Sequence, residues 1–380
     1  MRLLIASSHF YPRTGGVERY VYEVAKGLAE WHGHVVTVLT SGPSRSRVET
    51  ERIGEVKVVR VPTWASLSSA PLSPTWLWQL RRVVSDERPE LINTHAPQPG
   101  LPDLVALTAP AAVPLVATYH SGSLRKGGWT DVVIGGYEAS FLPRVLRRSA
   151  AVVVTGRAVA EEPYIPDGKV EYIPPGVDTA IFRPNPGSVR RSDQLVYVGR
   201  IDRDSGWKGI STLLRALRLL ALSHPQVRLQ MVGDGDAIED YRREAAELGL
   251  TDQVDFLGRL DGTNLARAYQ SASALVLASE TAAESFGMVL IEALACGTPV
   301  VGTRVGGIPS VIEDTGGGLV APARDPEALA KAIARLLDDP AAAAEMGRRG
   351  ELAVHQRYTW RHTADAYDQL MRHHLAGATR

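Results

Sequence analysis

The sequence predicts an α/β protein with two doubly wound, Rossmann-like domains of similar size. Short aliphatic runs alternate with amphipathic stretches along the whole chain, as expected for strands buried on both faces of parallel sheets with crossover helices between them. The 380 residues exceed what a single hydrophobic core usually holds. Ligands bind beyond the carboxyl ends of such strands, so we expect the two domains to face each other across a cleft that holds the site.

The first domain is predicted to span residues 1–183. Helical patterns such as "VERYVYEVAKGLAE" separate its strands. The predicted strands are Leu3–Ser7, Val35–Thr40, Val56–Val61, Leu91–His95, Leu115–His120, Ala151–Thr155 and Val170–Ile173.

A segment rich in Pro, Gly, Ser and charge, residues 184–194, is the predicted linker, and residues 195–357 form the second domain. The last segment, 358–380, has a helical pattern. The stretch "ISTLLRALRLLALSH" places apolar residues on one helical face, namely Ile210, Leu213, Leu214, Leu217 and Leu220. The predicted strands are Leu195–Gly199, Arg228–Val232, Val254–Leu257, Ala274–Ala278, Pro299–Gly302 and Gly318–Val320.

Composition excludes several classes of protein. Apolar residues make up 44 % and charged residues 22 %, which excludes disorder and coiled coil, and the 42 basic and 42 acidic residues give no net charge that would attract nucleic acid. The single cysteine, Cys296, lies among small and apolar residues and is predicted to be a buried structural thiol. Without a signal-peptide pattern or a long apolar run, we expect a cytoplasmic protein.

Two segments have the composition of anion sites. The first predicted strand leads into "YPRTGGVERYV", where Gly15 and Gly16 precede a helix and either form a plain tight turn or let backbone approach a ligand. In the second domain, Arg200 follows a strand and Lys208 stands just before a helix, an arrangement that suits a diphosphate unless both are solvated surface cations. The chain lacks the G-x-G-x-x-G and Walker A motifs.

The stretch "ESFGMVLIE" at 284–292 places two carboxylates around a predicted helix start. The N–H groups of Phe286, Gly287 and Met288 would face a phosphate. Glu292, one turn inside the helix, could accept two hydrogen bonds from a ribose diol, and Glu284, in the loop, could accept from sugar hydroxyls. These residues together predict a nucleotide-sugar site.

Several motifs resemble those of the GT-B retaining glycosyltransferases of family four. They are "GVDTAIFRP", "VGRIDRDSGWKG", "MVGDGD", "VDFLGRL" and "ESFGMVLIEALACGTPVVGTRVGGIPSVIED", and the N-terminal "YPRTGGVERYVYEVAKGLAEWHGHVVTVLT" is similar as well. The resemblance is densest over residues 174–322. It implies a GT-B fold whose last helix crosses back onto the first domain.

The resemblance also implies site residues. Glu284 and Glu292 match the ends of the family's E-x7-E motif, with Glu292 on the ribose and Glu284 on the donor sugar. Arg200 and Lys208 match its diphosphate-binding pair. Gly16 matches a loop glycine near the transferred group, and a strand-end histidine beside the reacting centre corresponds to His120. From the residues alone, two other strand-end histidines, His9 and His95, are expected to be structural residues or acceptor contacts and not catalysts.

We therefore expect a retaining glycosyltransferase that moves a hexosyl group from a UDP- or GDP-linked sugar to a hydroxyl acceptor. The donor would bind the second domain and the acceptor the first. The sequence contains no metal-ligand spacing, so cations are expected to neutralise the leaving diphosphate without a metal or other cofactor. Front-face attack is favoured over double displacement. A sugar-nucleotide epimerase of GT-B fold and a non-catalytic nucleotide-sugar-binding protein remain alternatives.

The acceptor stays open between a glycan, a glycolipid and a small molecule. The stretches "PTWLWQLRRVV" and "EASFLPRVLRRSAAVVV" combine apolar faces with arginines, Arg81, Arg82, Arg144, Arg147 and Arg148. Such helices either lie on anionic lipid at the inner membrane face or pack on a sheet with a solvated basic edge.

Overall fold

The structure, a computed structural model, describes residues 1–13, 15–67, 70–120, 130–187 and 190–378. It divides into two compact units. The first comprises Met1–Pro175 together with Trp360–Arg380, and the second comprises Gly176–Thr359. Each unit is built on a sheet of mainly parallel strands with helices between them, which confirms the predicted α/β class.

The first unit contains an eight-stranded sheet in the order β10-β9-β8-β7-β1-β2-β4-β3. All neighbours are parallel except β3, which runs antiparallel to β4, and a small antiparallel hairpin, β5–β6, lies outside the sheet. The strands are β1 (Arg2–Ala6), β2 (Val35–Ser41), β3 (Glu49–Ile53), β4 (Val56–Val61), β5 (Ala65–Leu67), β6 (Ala70–Leu72), β7 (Leu91–Ala96), β8 (Leu115–Tyr119), β9 (Ala151–Val154) and β10 (Val170–Tyr172).

The helices of the first unit include the C-terminal one, which returns to this unit after the chain has passed through the second. It packs against the first helix, and the hydroxyls of Tyr20 and Tyr367 lie 3.2 Å apart between them. The helices are α1 (Gly16–Glu30), α2 (Trp76–Glu87), α3 (Leu101–Thr108), α4 (Thr130–Arg148) and α12 (Trp360–Ala378).

The second unit has a six-stranded, fully parallel sheet in the order β13-β12-β11-β14-β15-β16. Its strands are β11 (Gln194–Val198), β12 (Arg228–Val232), β13 (Val254–Gly258), β14 (Ala274–Leu277), β15 (Val300–Thr303) and β16 (Gly318–Ala321). Its helices are α5 (Ile210–Leu220), α6 (Ile238–Glu247), α7 (Gly262–Ser271), α8 (Met288–Ala295), α9 (Ile308–Thr315), α10 (Pro326–Asp338) and α11 (Pro340–Arg357).

Burial follows the predicted pattern. The five apolar residues predicted to share one face of α5 are all buried, and they pack with the central strands of the second sheet. Cys296 is buried at the end of α8, and burial raises the pKa of its thiol to about 12, so it stays protonated at neutral pH. The prediction of a buried, unreactive thiol is therefore confirmed.

The boundary between the units differs from the predicted one. The chain enters the second unit at Gly176, so the segment 184–194, of which 188 and 189 lie outside the described residues, belongs to that unit. Its backbone is held there, because the Arg191 N–H donates to the Ser271 carbonyl at 2.9 Å and the Ser273 hydroxyl donates to the Arg191 carbonyl at 2.6 Å. The Pro- and Gly-rich composition correctly indicated irregular backbone, but the point where the chain passes from the first unit to the second lies earlier in the sequence.

Candidate functional site

The carboxyl end of β14 leads through a loop into α8, and this loop carries the "ESFG" residues. Gly287 caps α8 with a φ of +83°, in the left-handed region that glycine enters at no steric cost. Phe286 is buried, with its ring 5.9 Å from that of Tyr358. The Gly307 N–H donates to the Glu284 carbonyl at 2.9 Å, which ties the loop to the segment before α9. These contacts fix the loop, and they therefore also fix the position of the first N–H groups of α8.

Glu292 lies inside α8, as predicted, and its side chain is almost fully buried, at 4 % exposed. The Tyr269 hydroxyl, from α7, donates to Glu292 Oε2 at 2.9 Å. Tyr269 was not predicted from the sequence, since nothing in the spacing of α7 relates it to a glutamate 23 residues later. A buried carboxylate held by a buried hydroxyl presents its acceptor oxygens in a defined direction.

Glu284 is held by two donors. The Lys208 ammonium donates to Glu284 Oε2 at 2.6 Å, and the Ser279 hydroxyl donates to the same oxygen at 3.1 Å. In the described part of the chain both bonds go to Oε2 and none to Oε1. The side chains of Lys208 and Glu284 are 16 % and 13 % exposed. From the sequence they were expected to bind different parts of a donor, and their ion pair was not predicted.

The loop before α5 positions Lys208. This loop is a short 3₁₀ segment, Arg203–Lys208, which ends at Gly209 with a φ of +69°. A Cβ on Gly209 would lie 2.0 Å from the Ala278 carbonyl oxygen, so only glycine allows the loop to approach β14 this closely. The Glu280 N–H donates to the Trp207 carbonyl at 2.7 Å, which adds a second tie.

The Lys208 ammonium also lies 4.4 Å from the centroid of the Trp207 ring, whose face attracts a cation. The Glu280 side chain accepts hydrogen bonds from the Thr212 hydroxyl at 2.7 Å and from Arg324 Nε at 3.1 Å. Lys208 therefore stands on a braced loop and not on a flexible surface arm.

Arg200 follows β11, as predicted, but its side chain points into solvent, 71 % exposed. Its guanidinium lies 3.6 Å from the Asp202 carboxylate. Within the described residues it makes no hydrogen bond to Lys208 or Glu284. The structure thus brings together Lys208, Glu284 and the start of α8. Arg200 stays exposed and outside this cluster.

In the first unit, His120 and His95 lie at the ends of the neighbouring parallel strands β8 and β7. His95 Nδ1 and His120 Nε2 are 2.7 Å apart, and the two ring planes are within 13° of parallel, with their centroids 5.0 Å apart. Both side chains are buried. Burial lowers the pKa of His120 to about 3, and burial together with the His120 ring lowers the pKa of His95 well below its usual value. Both imidazoles are therefore neutral at pH 7.

Gly16 is the first residue of α1 and is exposed, as is Gly15 before it. Gly15 has an extended backbone with φ −173°, so the pair does not form a left-handed turn. Thr14 lies outside the described residues. His9 lies near this loop, with Arg13 Nη1 3.1 Å from His9 Nδ1.

Among the described residues, no group of three or more His, Cys, Asp or Glu side chains could hold a metal ion. None of the helices in the described ranges is long and apolar enough to cross a membrane.

Comparison with known proteins gives matches along nearly the whole chain. Residues 14–181 match the family described as glycosyltransferase family 4, and residues 178–353 match glycosyl transferases group 1. The chain is 30 % identical over 363 residues to a phosphatidyl-myo-inositol mannosyltransferase of Mycolicibacterium smegmatis, covering 95 % of this chain and 90 % of the relative.

Two further relatives extend the comparison. A GDP-mannose-dependent alpha-(1-6)-phosphatidylinositol monomannoside mannosyltransferase of the same organism is 28 % identical, with 94 % of this chain and 95 % of the relative covered. Among solved structures, a sucrose-phosphate synthase from Thermosynechococcus elongatus matches with a TM-score of 0.81 and 26 % identity, over 99 % of each chain. These likenesses support the GT-B fold that the sequence motifs implied.

Proposed function

Because this chain belongs to the group 1, family 4 glycosyltransferases of GT-B fold, we propose that it moves a hexosyl group from a nucleotide diphosphate sugar to a hydroxyl acceptor with retention of configuration. The observation that carries the proposal is the braced contact between Lys208 and Glu284 beside the start of α8, with Glu292 one turn further on. It combines a cation, a helix N-terminus and two carboxylates in a single unit.

In the proposed donor complex, Glu292 accepts hydrogen bonds from the ribose diol, and the diphosphate lies against the first N–H groups of α8 at Phe286, Gly287 and Met288. Lys208 has three N–H donors, so it can keep its bond to Glu284 and also bind a phosphate oxygen. Arg200, exposed at the rim, can swing onto the diphosphate. Glu284 accepts from a hydroxyl of the donor sugar.

Catalysis then depends on charge. Negative charge grows on the diphosphate as the glycosidic bond lengthens, and fixed cations and N–H dipoles stabilise it more in the transition state than in the ground state. No cofactor is needed for this step. We favour front-face attack, in which the leaving phosphate takes the proton of the acceptor hydroxyl. For the first unit we propose acceptor binding, with Gly16 near the transferred group and His120 bordering the reacting centre.

Ligand-induced stabilisation tests the donor assignment. We expect one of GDP-mannose, UDP-glucose and ADP-glucose to raise the melting temperature, because a ligand that binds only the native state stabilises it. GDP-mannose is the first to test, given the name of the second relative.

With an acceptor present, NMR should find product with the donor's anomeric configuration. Inverted product would contradict retention. A changed donor sugar without acceptor would indicate an epimerase, and binding without transfer to any of a broad acceptor panel would indicate a non-catalytic protein.

The same assay in EDTA tests metal independence. We expect transfer to continue, since Lys208 and the helix start supply positive charge at the diphosphate. A complete loss of transfer that Mg²⁺ or Mn²⁺ restores would show that a divalent ion carries this role.

A surface of the first unit fits a lipid-linked acceptor. Around the β5–β6 hairpin and the first turn of α2, four large apolar side chains are exposed, Trp64, Leu72, Leu77 and Trp78. The Trp64 N–H donates to the Leu72 carbonyl at 2.9 Å, so the hairpin brings two of them together. Arg81 and Arg82 are exposed on the next turn of α2, and the Arg82 guanidinium lies 5.6 Å from the Trp78 ring.

We take this surface to dock on an anionic phospholipid membrane at its cytoplasmic face. Tryptophan and leucine side chains enter the interface while arginines contact anionic headgroups, although Asp86, 3.7 Å from Arg82, offsets part of the charge. The acceptor would then be a lipid headgroup bearing a hydroxyl.

We expect Trp78→Ser combined with Arg81→Glu to abolish binding to vesicles of phosphatidylglycerol and phosphatidylcholine, measured by co-sedimentation at low salt. Each change removes either inserted apolar area or a headgroup contact. Leu222→Ser is the matched control, because Leu222 is also exposed but lies in the second unit. Equal vesicle binding by both variants, or no binding by the unmodified protein, would rule out this surface.

A further inference from the structure

Within the part of the chain that the structure describes, the histidine pair of the first unit contains a buried atom without a hydrogen-bond partner. His95 is fully buried, and within the described residues its Nε2 makes no hydrogen bond, while its Nδ1 lies 2.7 Å from His120 Nε2. A buried polar atom without a partner is rare and calls for an explanation. From its sequence context His95 was expected to be a structural residue or an acceptor contact, and the proposed function does not use it.

The surroundings hold both rings in place. The edge of the Tyr20 ring packs on His120 with centroids 5.0 Å apart, and the Tyr20 hydroxyl donates to the Ile173 carbonyl at 3.0 Å. Asn93 and Thr118 each lie two residues before the histidine that follows them, His95 and His120. The Asn93 amide donates to the Thr118 hydroxyl oxygen at 2.9 Å. Parallel pairing of β7 with β8 therefore sets the distance between the two imidazoles.

One proton lies between the rings, and its owner decides the state of His120. Two neutral rings in contact share a single N–H, so either His95 Nδ1–H donates to His120 or His120 Nε2–H donates to His95. If His120 donated, His95 would keep its own proton on Nε2, which is buried and has no partner among the described residues. If His95 donates, that Nε2 is a bare acceptor. Orphaned buried N–H groups are the rarer of the two, which favours donation by His95.

We propose that His95 is a positioning residue that holds His120 as the neutral Nδ1–H tautomer, so that His120 offers a hydrogen-bond donor to a substrate oxygen and is not a base. The inference rests on the proposed function for the part played by His120. It is consistent with front-face attack, where the leaving phosphate accepts the proton and the enzyme needs no general base in the first unit. His120 then orients an oxygen of the bound sugar or acceptor.

Two substitutions at His95 separate positioning from simple packing. In His95→Asn the amide nitrogen takes nearly the place of Nδ1 and can still donate to His120. In His95→Leu the apolar volume is kept but the donor is lost. If His95 only fills the core, leucine should be at least as well tolerated as asparagine, because an amide is costly to bury. If His95 positions His120, asparagine should preserve function and leucine should not.

Imidazole ¹⁵N NMR reads the tautomer directly, with the His120 signals assigned by their loss in His120→Gln. We expect Nδ1–H alone at His120 in the unmodified protein and in His95→Asn, and a mixture of the two tautomers in His95→Leu, where no donor at residue 95 fixes the choice. We also expect kcat to fall about tenfold or more in His95→Leu and to stay within about threefold in His95→Asn. Affinity for the free nucleotide diphosphate should be unchanged in both.

An Nε2–H tautomer at His120 in the unmodified protein, or an unchanged tautomer in His95→Leu, would overturn the proposal. So would a kcat for His95→Asn as low as that for His95→Leu. The NMR measurement needs no substrate, so failure of the proposed glycosyl transfer would leave it informative. If His95→Leu does not fold, the tautomer of the unmodified protein and of His95→Asn still decides the matter.

Discussion

Lys208→Ala is expected to lower kcat by about 10²- to 10³-fold while donor affinity falls much less. The reason is that negative charge grows on the diphosphate toward the transition state, so a cation fixed beside it stabilises the transition state more than the bound donor. Steady-state kinetics with calorimetric measurement of donor affinity would check this. Lys331→Ala is the matched control, because Lys331 is an exposed lysine of the same unit.

The ion pair adds a complication that a second variant resolves. Removing the Lys208 ammonium also leaves the largely buried Glu284 carboxylate without its cation, at a contact of 2.6 Å. If Lys208 acts only by holding Glu284, then Lys208→Ala in a Glu284→Gln background should cost nothing further. We expect a further large loss of kcat in that background. An unchanged kcat with a raised KM in Lys208→Ala would contradict the proposed role.

The two glutamates of the E-x7-E stretch should behave differently towards free nucleotide. Glu292→Gln is expected to weaken the binding of both the nucleotide diphosphate and the intact donor by about 1–3 kcal/mol, because a neutral amide replaces a charge-assisted acceptor for the ribose. Glu284→Gln should weaken the binding of the donor or lower kcat. The affinity for free nucleotide should stay unchanged or rise slightly. The slight gain would follow from releasing Lys208 from its ion pair.

Calorimetric titration of both variants with nucleotide diphosphate and with donor would decide this. Glu313→Gln, an exposed glutamate on α9, serves as control. Equal losses of nucleotide affinity in the two variants would overturn the assignment of roles. No loss in either would remove this stretch from the donor site.

Most strands could be predicted because they are buried on both faces and therefore leave continuous aliphatic runs, as in β8 and β14. The strands that escaped prediction have no such signal. β3 reads "ETERI", with four of its five residues exposed on an edge of the sheet, and the β5–β6 hairpin has strands of three residues. Such strands are held by backbone hydrogen bonds without being buried, so they leave no apolar pattern in the local sequence.

Partners across long sequence separations were beyond reach for a different reason. Glu284, Glu292 and Lys208 could be named from local pattern and motif, because strand ends, helix starts and charge types are encoded nearby. That Lys208 and Glu284 would pair across 76 residues, or that Tyr269 would hold Glu292, could not. These contacts depend on which strands become neighbours and in what register.

Local patterning in the amino-acid sequence thus accounts for the α/β class, the alternating elements and the carboxylates around the start of α8, since each depends on residues within a turn or a strand. The point where the chain passes between units, the ion pair at the candidate donor site and the contact between His95 and His120 were decided by tertiary structure. They arise from the strand order of each sheet, which brings distant strand ends together, and from burial, which makes a paired polar group or charge the favourable state.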